Sequence, residues 1–385
     1  MSQPLLITLF TFIDGLSQSV YGTLFNLMLR HNGVPTNVVG RITSFSLWGA
    51  AIFGLLFGFI ADRFDKKKLI ILAQLLSIFF GIYRVLVNSI VQLNLTSFFF
   101  GGFSSASAII LSTLLVLKTN KEDRAKFFGL NFGVGMFTGV FGNILGGILG
   151  DVLNVKLILI LSSLTRLIAI YPLMRVNVES VSTFDRRINI LEFLSAFLPS
   201  KSKVVFYYLI SVISVGFGAG LFVTFGNVIF YDLFKFSATL IGVILALAQF
   251  ATSLGAVFSH KLGKRFGDMN ILVFSYVFVP ILIVFLSFVR EPITFTSVYV
   301  LRFAVMNMVS PLLSALVFSN VPKDKLATVN GVSNFVNNLS RALSAELFAF
   351  LTGFSNGYTL IFVISSIFYF INAYVMIRMY KHLNA

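Results

Sequence analysis

The sequence predicts an all-α membrane protein: twelve transmembrane helices in two pseudo-repeated six-helix bundles. Three observations lead there. The chain of 385 residues is 57% hydrophobic and only 11% charged, with a mean hydropathy of +0.93. That is more apolar surface than a water-soluble domain can hide, so lipid is its main solvent. The apolar residues fall in continuous runs of roughly 20 residues, the length that crosses a bilayer as a helix. The second half also repeats features of the first at an offset of 202 residues.

Polar residues and Gly/Pro punctuation separate the runs. The first span, 5–29, begins behind MSQP without a basic n-region, so it reads as an uncleaved helix and not a signal peptide. The second, 37–61, ends in the charged stretch GFIADRFDKKK, residues 58–68. Spans follow over 69–88, 92–117, 125–149 and 154–174. The longest hydrophilic stretch, 175–203, then divides the chain into an N-terminal bundle, 1–174, and a C-terminal bundle, 204–385. Within it RRINILEFLSAFL has the pattern of an amphipathic helix lying on the inner leaflet; a plain tether between bundles is the alternative. The second set covers 204–231, 238–262, 270–289, 295–321, 327–352 and 357–379. The absence of strict alternation argues against a β-barrel.

Charge sets the orientation. Twenty of the 29 Lys and Arg fall at the even-numbered loops and the C-terminus, against four on the other side. The first side is therefore expected to be cytoplasmic, with both termini on it, in the plasma membrane. The net charge of +15 is then mostly this bias, and no nucleic acid partner is expected. There is no Cys, which excludes disulfides and thiolate metal sites. His31, His260 and His382 are far apart, and there is neither a P-loop nor a nucleophile motif. No metal, cofactor or catalytic group is expected. The anticipated partners are a small-molecule substrate, protons and the bilayer, and the chain is expected to be a monomer.

The repeat is read from three places. Arg63-Phe64 falls on Arg265-Phe266, Gly40 on Gly242, and Ala125 and Gly129 on Ala327 and Gly331. Two related halves of the same orientation commonly hold a substrate near the midplane. Gly58, Ala61, Asp62, Arg63, Lys66 and Lys67 then match the loop signature G-x-L-A-D-R-x-G-R-K of the major facilitator superfamily, which the chain resembles over its whole length. Ile60 and Asp65 stand where that signature has Leu and its second Gly. A weaker copy has Leu262, Gly263, Arg265 and Gly267, with Lys264 in place of the acid. The resemblance implies a secondary transporter in which Asp62 and its neighbours belong to a gate. In span five, Gly142-Asn143-Ile144-Leu145-Gly146-Gly147 is similar to the G-P-x-x-G-G motif of the family's drug/proton antiporters, with Asn143 for Pro. Gly135, Gly139, Gly142, Gly146 and Gly147 equally suit close helix packing. Span four has no Arg where the family often carries one, and Arg302 in span ten is the nearest analogue.

Charges inside spans are expensive and usually face a partner or a cavity. Asp14 and Glu346 are the only acids well inside spans. Asp14 shares a helix face with Gln18 and Tyr21. It reads either as a proton or cationic-substrate site, or as a structural partner for Arg84, Arg166 or a backbone group. Glu346 reads as an ion-pair partner for Arg302 or Arg341. Asn330, Asn334, Asn337, Arg341 and Ser344 form a polar stripe on span eleven, with Phe348 taken as facing lipid. Thr224, Asn227 and Tyr231 form a shorter stripe on span seven. The expected function is transport of a small organic solute, first as drug or metabolite efflux exchanged for protons. Proton-coupled or facilitative uptake of a sugar or organic anion is the alternative. A membrane-embedded enzyme or a non-transporting receptor is the reading from a different class, and an enzyme would need clustered His or paired acids that the chain lacks.

Overall fold

A chain in lipid must satisfy its own backbone, which leaves long apolar runs little choice but the helix. The computed structural model describes residues 2–61, 64–120, 123–177, 203–309, 312–313, 316–317 and 326–383. The expected gate residues Asp62 and Arg63, and most of the hydrophilic stretch 175–203, lie outside them. The helices are α1 Gln3–His31, α2 Thr36–Ile60, α3 Lys66–Leu86, α4 Ile90–Leu117, α5 Arg124–Val152 and α6 Val155–Met174. They continue with α7 Lys203–Gly220, α8 Gly226–Phe234, α9 Ala238–Phe266, α10 Asp268–Phe288, α11 Pro292–Met308, α12 Leu326–Leu351 and α13 Gly357–Leu383. No strand occurs among the described residues. Among the described residues ten segments are long and apolar enough to cross a membrane, with α7 through α8 counted as one.

The seventh span departs from the expected single helix over 204–231. It breaks after Gly220 into a 3₁₀ turn, Val223–Phe225, before α8 resumes. Gly216, Gly218 and Gly220 end α7, and each Gly weakens a helix by about 1 kcal/mol relative to Ala. A Cβ on Gly220 would stand 1.9 Å from Ser344 Oγ and 2.9 Å from Arg341 Cα, so α12 crosses at this point.

Packing divides the chain into two units: Met1–Ile188 with Phe230–Ala246, and Asn189–Ile229 with Leu247–Ala385. In the first, α1 packs on α5 and α6, and α4 on α2 and α3. The α2–α4 crossing is tight because a Cβ on Gly49 would lie 1.9 Å from the Phe98 carbonyl oxygen, and one on Gly101 1.9 Å from that of Ser46. In the second, α7 packs on α12 and α13, and α10 on α11 and α13. Large apolar side chains such as Phe79, Ile168 and Phe274 are mostly exposed, while Gln74, Ser77 and Ser365 are fully buried. That is the partition of a protein dissolved in lipid. Phe348 is not among the lipid-facing residues: it is fully buried and its ring stacks on Phe225 at 3.7 Å. Phe350, two positions on, is 65% exposed.

Candidate functional site

Two buried charges of the first unit, Asp14 and Arg166, meet. Asp14 Oδ1 accepts from Arg166 Nε at 2.7 Å and from Gln74 Nε2 at 2.5 Å, and its Oδ2 from Gln18 Nε2 at 2.6 Å. The i, i+4 spacing on α1 brings Gln18 onto Asp14; α3 and α6 supply Gln74 and Arg166. Arg166 also donates through Nη1 to Ser77 Oγ at 3.0 Å, while its Nη2 is buried without a partner. Ser107 Oγ donates to Gln74 Oε1 at 3.0 Å and extends the network to α4. A charge at a helix centre costs about 2.5–3.5 kcal/mol on insertion scales. Hydrogen bonds to charged groups contribute about 1.5–3 kcal/mol each. Three such bonds therefore offset the burial of the carboxylate. Of the partners weighed from the sequence, Arg166 is the one Asp14 contacts.

Arg84 lies in the same unit but is held differently. Its Nε donates to Tyr21 Oη at 2.7 Å, and Tyr21 donates on to the Gly81 carbonyl at 2.7 Å. The guanidinium sits 3.7 Å from the Phe100 ring centre and 3.8 Å from that of Phe25. A desolvated cation–π contact contributes about 2 kcal/mol, so two rings and a phenol take the place of an acid.

Beside this network is a cavity of about 400 Å³ between α1, α4 and α5. Asp14, Gln18, Thr11 and Ser19 from α1, Ser104, Ser107 and Ser112 from α4, and Asn131 and Thr138 from α5 line it. Phe10, Leu111, Leu115 and Phe128 give it apolar walls. Thr11 Oγ1 donates to Asn131 Oδ1 at 2.6 Å, which fixes the amide at the rim. Asp14 is the one acid among the lining residues. The lining sets hydroxyl and amide hydrogen-bonding groups around a single ionisable group.

Gly135 also lines the cavity, and a Cβ there would meet open space. Further along α5 the glycines pack. Added Cβ atoms would lie 2.4 Å from Ser19 Cβ at Gly142, 3.1 Å from Val20 Cα at Gly146, and 2.5 Å from the Ala238 carbonyl oxygen at Gly147. Asn143, in the place of the motif's Pro, accepts from Thr23 Oγ1 at 2.9 Å.

In the second unit the candidate residues are more scattered. Arg302 is 2% exposed, donates through Nη2 to Tyr369 Oη, and lies over the rings of Phe222, Phe303 and Tyr369. Arg341 is half-buried with its Nε unpartnered. Glu346 forms an ion pair with neither; among the described residues the ion pairs are Arg30–Asp232 and Arg166–Asp14. Five residues along a helix turn a side chain away from Arg341, and Arg302 meets rings first. Asn334 is exposed, Asn337 half-buried and Ser344 buried on α12. Asn227 is buried, with its Oδ1 accepting from the Val228 amide at 2.9 Å.

Around the loop signature, Gly58 has open space where a side chain would begin. Lys67 Nζ donates to the Met174 carbonyl at 2.6 Å, and Lys66 begins α3. Asp65, the departure from the family pattern, caps α3 by accepting from the Lys67 and Lys68 amides at 2.9 and 3.3 Å. A cap acid ahead of a helix start is a sequence-readable signal. In the weaker copy Gly263 is buried against Asp268, and Arg265 is exposed over Phe266.

Two polar ties escaped the sequence reading, because loop-end acids are common and carry no pattern. Asp232 accepts from Arg30 Nε at 2.9 Å and from Thr36 Oγ1 at 2.6 Å. Asp151 accepts from the amides of Ala238 and Thr239, at the start of α9, at 3.0 and 2.8 Å. Both hold residues of 230–246 within the first unit.

No curated protein matches the chain by sequence. Among solved structures it is similar to the nucleoside transporter NupG, at 16% identity and a TM-score of 0.78, over 99% of this chain and 100% of that one. It is also similar to a bacterial homologue of the human lysosomal transporter Spinster, captured inward-facing and occupied, at 14% identity and a TM-score of 0.77, over 98% and 96% of the two chains. At such identities the likeness shows a shared fold. The Major Facilitator Superfamily model matches residues 7–345. With a helical membrane fold, the loop signature and a match across most of its length, the chain belongs to the Major Facilitator Superfamily.

Proposed function

We propose that this chain is a secondary transporter that moves a small polar organic solute by alternating access, with proton movement through Asp14. The observation that carries the reading is the cavity in which hydroxyl and amide side chains converge on a single carboxylate. A wall with this many hydrogen-bonding groups favours a polar metabolite over a lipophilic drug, because unmet polar groups in a site penalise an apolar ligand. Protonation of Asp14 would remove the negative charge facing Arg166 Nε and weaken that contact, so proton uptake competes with the ion pair. Such a switch supports coupling, since a ligand moves an equilibrium only through its differential affinity for two states. The moving bodies in this reading are residues 1–174 and 204–385, joined by 175–203. Both termini face the cytoplasm and the membrane is the plasma membrane, in keeping with the Lys and Arg bias.

The test is flux in proteoliposomes with an imposed pH gradient, over a panel of sugars, nucleosides, carboxylates and lipophilic cations. Gradient-dependent flux of one polar class is the expected result. Flux confined to lipophilic cations, or indifferent to the gradient, would overturn the reading.

A further inference from the structure

We propose that the second unit binds an oxyanion, the carboxylate or phosphate group of the transported solute, at Arg302 and Arg341 beside the break in the seventh span. The inference starts from the contrast between two buried guanidinium groups. Arg166 in the first unit has the carboxylate of Asp14. Arg302, equally buried, has no ion pair among the described residues, and its Nε is buried without an acceptor. A guanidinium does not shed its charge in a protein, so the imbalance persists. Aromatic rings and the Tyr369 hydroxyl occupy its faces and one edge, leaving the Nε edge unmet.

Arg341 has the same deficit: its Nε is buried and lacks an acceptor. Each arginine borders the break in the seventh span, Arg341 at Gly220 and Arg302 at Phe222. Arg341 Cα lies 2.9 Å from where a Cβ of Gly220 would stand, and the Arg302 guanidinium lies 4.8 Å from the ring centre of Phe222. Broken membrane helices commonly form transporter ion and substrate sites at their break. One turn from Tyr369, Asn372 is fully buried with both its amide nitrogen and its amide oxygen unpartnered.

The repeat explains why, among the described residues, no acid fills the place. At the offset of 202 the position of Asp14 becomes Gly216. The room a side chain would need there is taken by Asn337 Oδ1 and Ser340 Cβ, both 3.1 Å from the would-be Cβ. Glu346 is on α12 but pairs with neither arginine. Rings and a phenol serve Arg302 as they serve Arg84, but the Nε of Arg302 and of Arg341 stays unmet, and an oxyanion ligand supplies the acceptor those two edges lack. A planar guanidinium edge matches the two oxygens of a carboxylate or phosphate, whereas a halide uses only one direction. Arg341 is half-buried and not sealed, so it supplies the approach.

The inference rests on the transporter reading only in making the oxyanion part of the solute; binding in detergent tests the site without any flux. The full chain is titrated with sodium phosphate and with sodium succinate, against sodium chloride at matched ionic strength, following thermal unfolding and heat of binding. At least one oxyanion is expected to bind saturably and raise the unfolding temperature beyond the chloride control. Which of the two does so identifies the source. Arg341→Gln and Arg302→Gln are each expected to weaken binding at least about tenfold, and Arg378→Gln, which removes an exposed charge, to leave it unchanged. If Arg302→Gln does not fold, the half-buried Arg341→Gln decides alone. No saturable binding of either oxyanion, or wild-type affinity in the Arg341→Gln variant, overturns the proposal.

Discussion

Arg166 Nε donates to Asp14 Oδ1 at 2.7 Å across 152 residues of sequence, and this bond organises the polar interior of the first unit. Both groups are buried, so each is the other's main compensation for leaving water.

Asp14→Asn should therefore do more than remove a proton site. Leaving one member of a buried pair unmatched costs about 3–5 kcal/mol, so the single variant should unfold at a lower temperature in detergent. Asp14→Asn with Arg166→Gln should recover part of that loss, because no bare charge remains. Gradient-driven flux should be absent from both. If the two single losses simply add in the double variant, the pair is not coupled. Preserved gradient dependence in Asp14→Asn would remove Asp14 from the proton path.

The exposure of Asn334 makes a labelling prediction. The chain has no Cys, so a Cys placed there is the sole thiol. The nucleophile in thiol labelling is the thiolate, which attacks the reagent and forms in water and not in lipid. Asn334→Cys should react faster with a small charged reagent than Phe350→Cys, whose exposed position on an apolar face is set against lipid. Substrate should slow the first reaction and not the second. The opposite order of rates would take the α12 stripe out of the solute path.

Asp151 holds the first turn of α9 through two backbone amides. A carboxylate at a helix N-terminus contributes about 0.3–1 kcal/mol through the dipole. Asp151→Asn should leave the fold intact and speed hydrogen exchange at Ala238 and Thr239 by about two- to fivefold. Exchange as slow as in the parent chain would show that shape alone, and not charge, secures this turn.

Glu291 caps α11 by accepting from the amides of Ile293 and Thr294 at 2.9 and 2.5 Å. Its bonds to Thr294, side chain first and then backbone, hold its carboxyl below the usual carboxylate range. A depressed folded value means that the cap stabilises above the unfolded value and is lost as pH falls through the folded one. Protection of the Thr294 amide should therefore fall in acid, and Thr294→Val should move that loss to higher pH. An acid profile identical in the two chains would show that the threonine side chain does not tune the cap.

Much of the architecture was legible because one physical quantity controls it. A run such as 270–289 has no other stable form in lipid than a helix, so its limits follow from composition. Asp14, Gln18 and Tyr21 were legible as one face because helical spacing is local. Their partners were not. Nothing in the sequence ranks Arg166 above Arg84 as the mate of Asp14, or says that Arg84 is stacked between aromatic rings. Phe348 and Phe350 look equivalent in composition, and only the packing of Phe225 separates them.

By itself the sequence determined the solvent of this protein, its helical spans, its repeat and its family. Each follows from short-range pattern: run length, punctuation, charge bias and a loop signature. Tertiary structure alone decided which charges are neutralised, where the cavity opens and where the seventh span breaks. Those outcomes depend on contacts between helices distant in sequence, where a difference of one or two ångströms separates an ion pair from an unmet guanidinium. Pairing energies at that range are set by geometry and local dielectric, which composition and spacing do not encode.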